Sequence, residues 1–404
     1  MADSDLPPLV WVKAQAPGFH ADGSTMATFN LATVLAGYFS LHLVCLNTSI
    51  TDATVTDRCC PPFTSAVVVT ADHQRSKLHR AAFGAWYFAH EKLRVRPRAQ
   101  SIESCRAFVR GIQDRVRSTG AAVALGEYWT VGPAVASSGA NHTVLRLHDV
   151  AHENEQASPN PAGKQAINAA GLIRKAELKA ANAASETLYV SNEDRRIFER
   201  LGVSNGRVIP LHVPFDSKPP DSKNHVKRPS GPVLLFLGHL DWWPNRQGLQ
   251  WFLDHVFPGV LAKHPTVRLD VVGAGDIDGI TVNSPRVRLL GFVDDLESTL
   301  RLATIGIVPI TAGTGVKTKT LKMLAAGLPV VSTTSGLRGT SGVTGGALVA
   351  ESATSFASAI NSLLEDDELR QGVIDQGQSS LATMHSEDAA RAFAEDLVAI
   401  SGGL

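Results

Sequence analysis

Short apolar runs, glycine-bearing loops and helix-spaced apolar positions follow one another along this chain. In the first half the runs are Leu9–Val12, Leu41–Leu46, Val67–Thr70, Ala121–Leu125, Thr143–Leu147 and Thr187–Val190. Helical spacing fills the intervals at Met26–Leu35 and in the Ala-rich stretch Gln165–Ala184, and Ser191 stands where it can cap a helix with Asp194 in its first turn. Val208-Ile209-Pro210 closes this half. The segment Pro214–Ser230 has four prolines, many charges and no apolar period, which predicts a linker. The pattern then restarts with Pro232–Leu237, a helix opened by Asp241-Trp242-Trp243-Pro244-Asn245 and running through Phe257, and the strands Arg268–Val272 and Val287–Leu290. Helices run from Ser355 to the end. No short-period repeat appears, which argues against a solenoid.

The fullest unit is Ile305–Leu337. The run Ile305–Ile310 ends in the turn Gly313-Thr314-Gly315, and Val316, Leu321, Leu324 and Ala325 then share one helical face. Gly327 stops that helix, Pro329 follows, and Val330-Val331 starts another strand, which makes a parallel βαβ unit. Lys317, Lys319 and Lys322 crowd the start of the helix, where its dipole favours anions, and no Asp or Glu occurs from Ser298 through Ala350. Two readings stand. The loop and its lysines form an oxyanion site, best suited to phosphates, or they are an ordinary βα turn with solvated lysines.

Length and charge narrow the classes. A chain of 404 residues predicts two domains or three, and 38 basic against 38 acidic residues point to no nucleic acid. No run approaches the roughly 18–20 apolar residues of a membrane span, and the first residues lack a secretory pattern. Cys45, Cys59, Cys60 and Cys105 have no zinc spacing and are expected to be reduced thiols of a cytoplasmic protein. Arg75–Arg117 carries eleven Lys or Arg and three acids, with Phe83, Trp86, Tyr87 and Phe88 interleaved. It is either a pair of amphipathic helices with a solvated basic face or a surface for an anionic membrane or acceptor, a weak membrane contact placing the protein at the membrane periphery.

Ligands of open α/β sheets gather at the carboxyl ends of strands, where Glu127, His148 and Asp149 stand. Asp276-Ile277-Asp278 has the spelling of a metal-binding pair but follows Gly273-Ala274-Gly275, so it is read as a loop.

Several stretches together resemble one family. FLGHLDWWPN (236–245), DVVGAG (270–275), VRLLGFVDD (287–295) and PITAGTGVKTKTLKMLAAGLPVVST (309–333) are similar, in order and spacing, to the donor domain of the retaining family-4 glycosyltransferases. The glycine loop near Gly23, LRLHDVAHENE (145–155), YVSNEDRRIF (189–198) and VIPLHVPFD (208–216) match more loosely. The resemblance implies the GT-B fold, two Rossmann-like domains facing across a central cleft. It divides the chain into an acceptor-side domain (1–213), a linker (214–231), a donor domain (232–385) and a C-terminal helix (386–404) packing back on the first domain.

It also implies transfer of a sugar from a nucleoside diphosphate sugar to an unknown acceptor with retention, without metal or other cofactor. His148 and Lys319 then carry the catalytic roles. Gly23, Gly238, His239, Gly273, Gly275, Gly313, Thr314, Gly315, Val316, Lys317 and Lys322 line the donor, and Glu127 and Asp149 the acceptor side. Three positions depart from the pattern. Thr314 and Lys322 stand where the family often has two glutamates, and His239 where many members have arginine. An ammonium at 322 can only donate, whereas a carboxylate accepts two ribose hydroxyls. A catalytically silent binder of nucleotide sugars or of a partner enzyme, and an epimerase or pseudo-glycosyltransferase of the same fold, are the alternatives.

Overall fold

The computed structural model describes residues 6–15, 23–47, 61–70, 98–158, 164–213, 231–340 and 343–402. The chain divides into two compact units, one of Met1–Gln156, Asn160–His212 and Glu387–Leu404, the other of Ala157–Pro159 and Val213–Ser386. The linker 214–230, Cys59, Cys60, most of the glycine loop before Gly23 and residues 75–97 of the basic segment lie outside the described residues.

The first unit is a seven-stranded parallel sheet in the order β3-β2-β1-β4-β5-β6-β7. Its strands are β1 (Pro8–Lys13), β2 (Ser40–Asn47), β3 (Ser65–Thr70), β4 (Val123–Glu127), β5 (His142–Leu147), β6 (Glu186–Tyr189) and β7 (Gly206–Val208). Both faces are apolar because each strand alternates its side chains between two cores. Val10 and Val12 join Phe108, Ile112 and Leu145 on one face, while Leu9 and Trp11 join Leu31, Leu35, Phe39 and Leu43 on the other. The helix Asp388–Ile400 completes that second core with Phe393 and Leu397, and Arg207 of β7 pairs with Asp396 at 2.5 Å.

Two strands are longer than their apolar runs. β1 extends to Lys13, paired with Cys45, and β4 to Glu127, paired with Arg146, so these charged residues belong to the sheet itself. Strand order reverses between β1 and β4, the switch point at which such sheets open a crevice at their carboxyl ends.

The second unit repeats the plan with six parallel strands in the order β10-β9-β8-β11-β12-β13. They are β8 (Val233–Leu237), β9 (Arg268–Val272), β10 (Val287–Gly291), β11 (Ile305–Val308), β12 (Val330–Ser332) and β13 (Ala347–Val349). Here the switch lies between β8 and β11. Each unit is Rossmann-like. The helix opened by Trp243 ends at Trp251, passes through a π-helical turn over Phe252–Val256, and resumes at Phe257–Lys263 with Pro258 in its first turn. The helix after the glycine turn is Thr318–Ala325, two residues later than Val316, because Lys317 has φ −82° and ψ 80° and precedes it.

Candidate functional site

In the first unit a charged network fills the switch point. Lys13 and Glu127 are 4% and 0% exposed, and Arg146 is 2% exposed. Lys13 Nζ donates to Glu127 Oε2 at 2.7 Å and to Thr28 Oγ1 at 3.0 Å, and Thr28 Oγ1 donates to the same carboxylate oxygen at 2.5 Å. Arg146 Nη1 donates to Glu127 Oε1 at 3.3 Å and to the carbonyl of Ala27 at 2.8 Å. Burial alone pushes the Glu127 carboxyl up, but Lys13, His148 and Arg146 together hold it well below the usual carboxylate range.

His148 follows β5 directly above this network. Its Nε2 lies 3.7 Å from Glu127 Oε1, beyond hydrogen-bond reach, and its ring stacks on Tyr128 with centroids 4.5 Å apart and planes 26° apart. Burial lowers the imidazole to about 4; Glu127 opposes that shift, and Arg146 and Lys13 add to it. The ring is neutral at ordinary pH. The turn beyond it is anchored by Glu177, 0% exposed, which accepts from the Ala151 and His152 N–H groups at 2.8 and 3.1 Å and from His152 Nδ1 at 2.6 Å. Asp149 accepts from Asn154 Nδ2 at 3.0 Å. Gly23 is the first residue of the helix Gly23–Leu35 that carries Thr28.

One expectation is corrected here. Glu127 does not present a carboxylate to an acceptor, because its oxygens are buried and taken by Lys13, Thr28 and Arg146. It holds the floor beneath His148.

In the second unit three glycine stretches meet at the carboxyl ends of β8, β9 and β11. Gly273 has φ 145°, and a Cβ there would stand 1.9 Å from the Gly238 carbonyl oxygen, so two backbones cross where no side chain fits. A Cβ on Gly238 would meet Asn245 Nδ2 at 2.8 Å and Lys319 Nζ at 3.1 Å. The space is used by a polar pair. Lys319 Nζ donates to Asn245 Oδ1, Asn245 Nδ2 donates to the His239 carbonyl at 2.7 Å, and the ammonium lies 5.3 Å from the Phe236 ring centroid. Burial lowers the Lys319 ammonium to about 7, and the neighbouring charge of Lys317 adds to the shift.

Lys317 acts on its own loop. Its Nζ donates to the carbonyls of Gly313, Thr314 and Gly315 at 2.9, 2.9 and 3.3 Å, across a turn in which both glycines have positive φ. The ammonium thus gathers the carbonyls of the turn, while Val316 packs against Gly339, whose Cβ would stand 2.7 Å from the Val316 Cα. Lys322 lies one turn beyond Lys319 and is half-buried. His239 is exposed, its Nδ1 3.7 Å from Asp241 Oδ2. A Cβ on Gly275 would sit 2.7 Å from the Asp241 N–H nitrogen. In the D-x-D stretch Asp276 Oδ1 accepts from the Asp278 N–H at 2.8 Å, and the Arg246 guanidinium reaches the carbonyls of both residues.

Residues 231–366 match the family model described as glycosyl transferases group 1. That match spans about a third of the chain, within the second unit. The phosphatidyl-myo-inositol mannosyltransferase of Mycolicibacterium smegmatis is 31% identical over 153 residues, and an uncharacterized 44.6 kDa protein in the cps region of Klebsiella pneumoniae is 29% identical over 180. Those matches span 39% and 44% of the two relatives' lengths, and 36% and 42% of this chain.

Among solved structures, sucrose-phosphate synthase from Thermosynechococcus elongatus superposes with a TM-score of 0.73 at 16% identity, covering 97% of this chain and 98% of that one. Anabaena HepE in complex with UDP and glucose gives 0.68 at 14%, covering 97% and 99%. The fold is GT-B. The matched span contains the Gly238–Gly273 crossing, Asn245, Lys317 and Lys319. The Lys13, Glu127 and Arg146 network and Glu177 lie outside it. The apolar pattern gave no sign that Lys13, Arg146 and Glu177 are buried, since it marks where strands and helices run and not which of their charged residues meet inside the fold.

Proposed function

We propose that this protein transfers a sugar from a nucleoside diphosphate sugar to an acceptor with retention of anomeric configuration and without a metal. The observation that carries the reading is Lys319, an enclosed ammonium at the carboxyl end of β8 whose proton is loosely held. Cleavage of the sugar–phosphate bond leaves negative charge on the departing diphosphate, and a preorganised donor there favours the transition state over the ground state. Lys319 is such a donor. Lys317 shapes the turn beside it, and the glycines keep side chains away from the phosphates. The neutral ring of His148 suits hydrogen bonding to a sugar hydroxyl, since it offers one N–H and one lone pair. Asp276 Oδ1 is taken by the Asp278 N–H within the loop, which favours a metal-independent reaction.

Lys322 favours a second reading, a silent GT-B protein that binds nucleotide sugar without turning it over, because a cation stands where the resemblance puts a ribose-binding carboxylate. Calorimetry and hydrolysis assays with a panel of nucleoside diphosphate sugars separate the two. Binding with slow hydrolysis supports the enzyme, binding alone the silent protein, and neither rejects both. Arg106, Arg110 and Arg117 are exposed along one face of the helix Arg106–Thr119, which supports a weak anionic-surface contact. Absence of flotation with anionic liposomes at low salt removes that part of the proposal.

Among the described residues no helix is long and apolar enough to cross a membrane.

A further inference from the structure

Lys13 ends β1, β4 lies beside it, and β5 lies beyond, so three central strands bring Lys13, Glu127 and Arg146 into one row under His148. Two cations face one carboxylate in a space closed to water. A proton on His148 would add another positive charge to that row. Lys13 also reaches the wall beside the imidazole, because its Nζ lies 5.0 Å from the centroid of the Tyr128 ring that stacks on His148. Tyr128 is the one non-glycine residue with positive φ among the described residues, at φ 72° and ψ 147°. Such a backbone persists only where its surroundings impose it. Here the Tyr128 N–H donates to the Arg146 carbonyl at 2.9 Å, which turns the ring onto His148.

We propose that Lys13 is a positioning residue, which through Glu127 and Tyr128 fixes the His148 ring and keeps it uncharged. This rests on the part given to His148 above. The charged groups that act on the ring are Lys13 from β1, Glu127 from β4 and Arg146 from β5, and Tyr128, in the turn after β4, stacks on it. Burial sets the direction against Glu127, and Arg146 and, to a smaller extent, Lys13 reinforce it. An imidazolium can only donate, so a ring kept neutral retains the lone pair with which it can accept from a sugar hydroxyl.

The test follows the His148 Cε1–H resonance by NMR as pH falls, in the full chain without donor, assigned by its loss in His148→Gln. The wild-type midpoint is expected at about 4. Lys13→Met should raise it, the direction expected on removing a nearby like charge. Lys13→Arg, which keeps the charge, should leave it low. Tyr128→Gly suits the backbone, leaves the buried charges intact and opens one ring face to water, so its midpoint should also rise. An unmoved midpoint in Lys13→Met, or an equal rise in Lys13→Arg, overturns the proposal. Should Lys13→Met fail to fold, the neutral but polar Lys13→Gln is read in the same way, and an unmoved midpoint in it overturns the proposal. The readout needs neither donor nor turnover, so an inactive protein with the expected shifts would defeat the assigned function and leave the positioning role standing.

Discussion

The two sheets carry cations at corresponding switch points and treat them in opposite ways. In the first unit Lys13 and Arg146 close around the Glu127 carboxylate, and the charge is largely spent within the protein. In the second, Lys317 meets carbonyls and Lys319 meets the amide oxygen of Asn245, and no acid occurs from 298 to 350. Removing one partner of a buried ion pair typically costs about 3–5 kcal/mol, so the first network builds a rigid floor. A cation satisfied by neutral oxygens keeps its charge for something that arrives. Position in the fold is shared; the presence or absence of a carboxylate decides whether a cation positions or binds.

The largest effect expected from breaking this contrast is at Lys319. Lys319→Ala should lower turnover by ~10² or more, as loss of an oxyanion-type donor does. Unchanged nucleoside diphosphate binding and turnover would show that the ammonium does not meet the phosphates. Gly238→Ala comes next. Its Cβ would press on Asn245 Nδ2 at 2.8 Å and Lys319 Nζ at 3.1 Å, displacing the pair while the sheet survives. Donor affinity should fall roughly tenfold, the equivalent of 1.4 kcal/mol; full affinity in calorimetry would mean the pair is not part of the donor site. Lys322→Glu is the smallest and most diagnostic change. In an enzyme adapted to lysine the new carboxylate repels the diphosphate and weakens binding a few-fold, whereas a silent homologue gains affinity. Titration with a panel of nucleoside diphosphates distinguishes them, and no change at all places residue 322 away from the donor.

Much of the fold was legible because buried parallel strands are apolar runs; Arg268–Val272 coincides with its predicted span, and Ser191 caps its helix through the Asp194 N–H at 3.1 Å. What escaped has physical causes. β1 and β4 each run on to a buried charge that the apolar pattern leaves out, and β13 is three residues between glycines and a helix cap. The glycine turns and Lys319 were legible as local motifs. Their partners were not, since Lys13 and Glu127 are 114 positions apart and Lys319 and Asn245 are 74 apart, and only strand order brings them together. The bonds of Lys317 to the carbonyls of its own turn could not be read from the sequence, since they depend on the fold of the turn.

The central claim is that the donor's diphosphate supplies the negative charge Lys319 is missing. The ammonium releases its proton at about 7 without ligand. An anion beside it favours the charged form and raises that value, so binding above pH 7 draws in a proton, and affinity falls by up to tenfold per unit as pH rises through this window. Nucleoside diphosphate sugars do not titrate there themselves, which isolates the protein's contribution. Calorimetry at pH 7.5 in two buffers of different ionisation enthalpy measures the proton directly. The account predicts uptake of a large fraction of one proton by the wild type and none by Lys319→Met; donor binding without uptake, or with equal uptake by the variant, would contradict it.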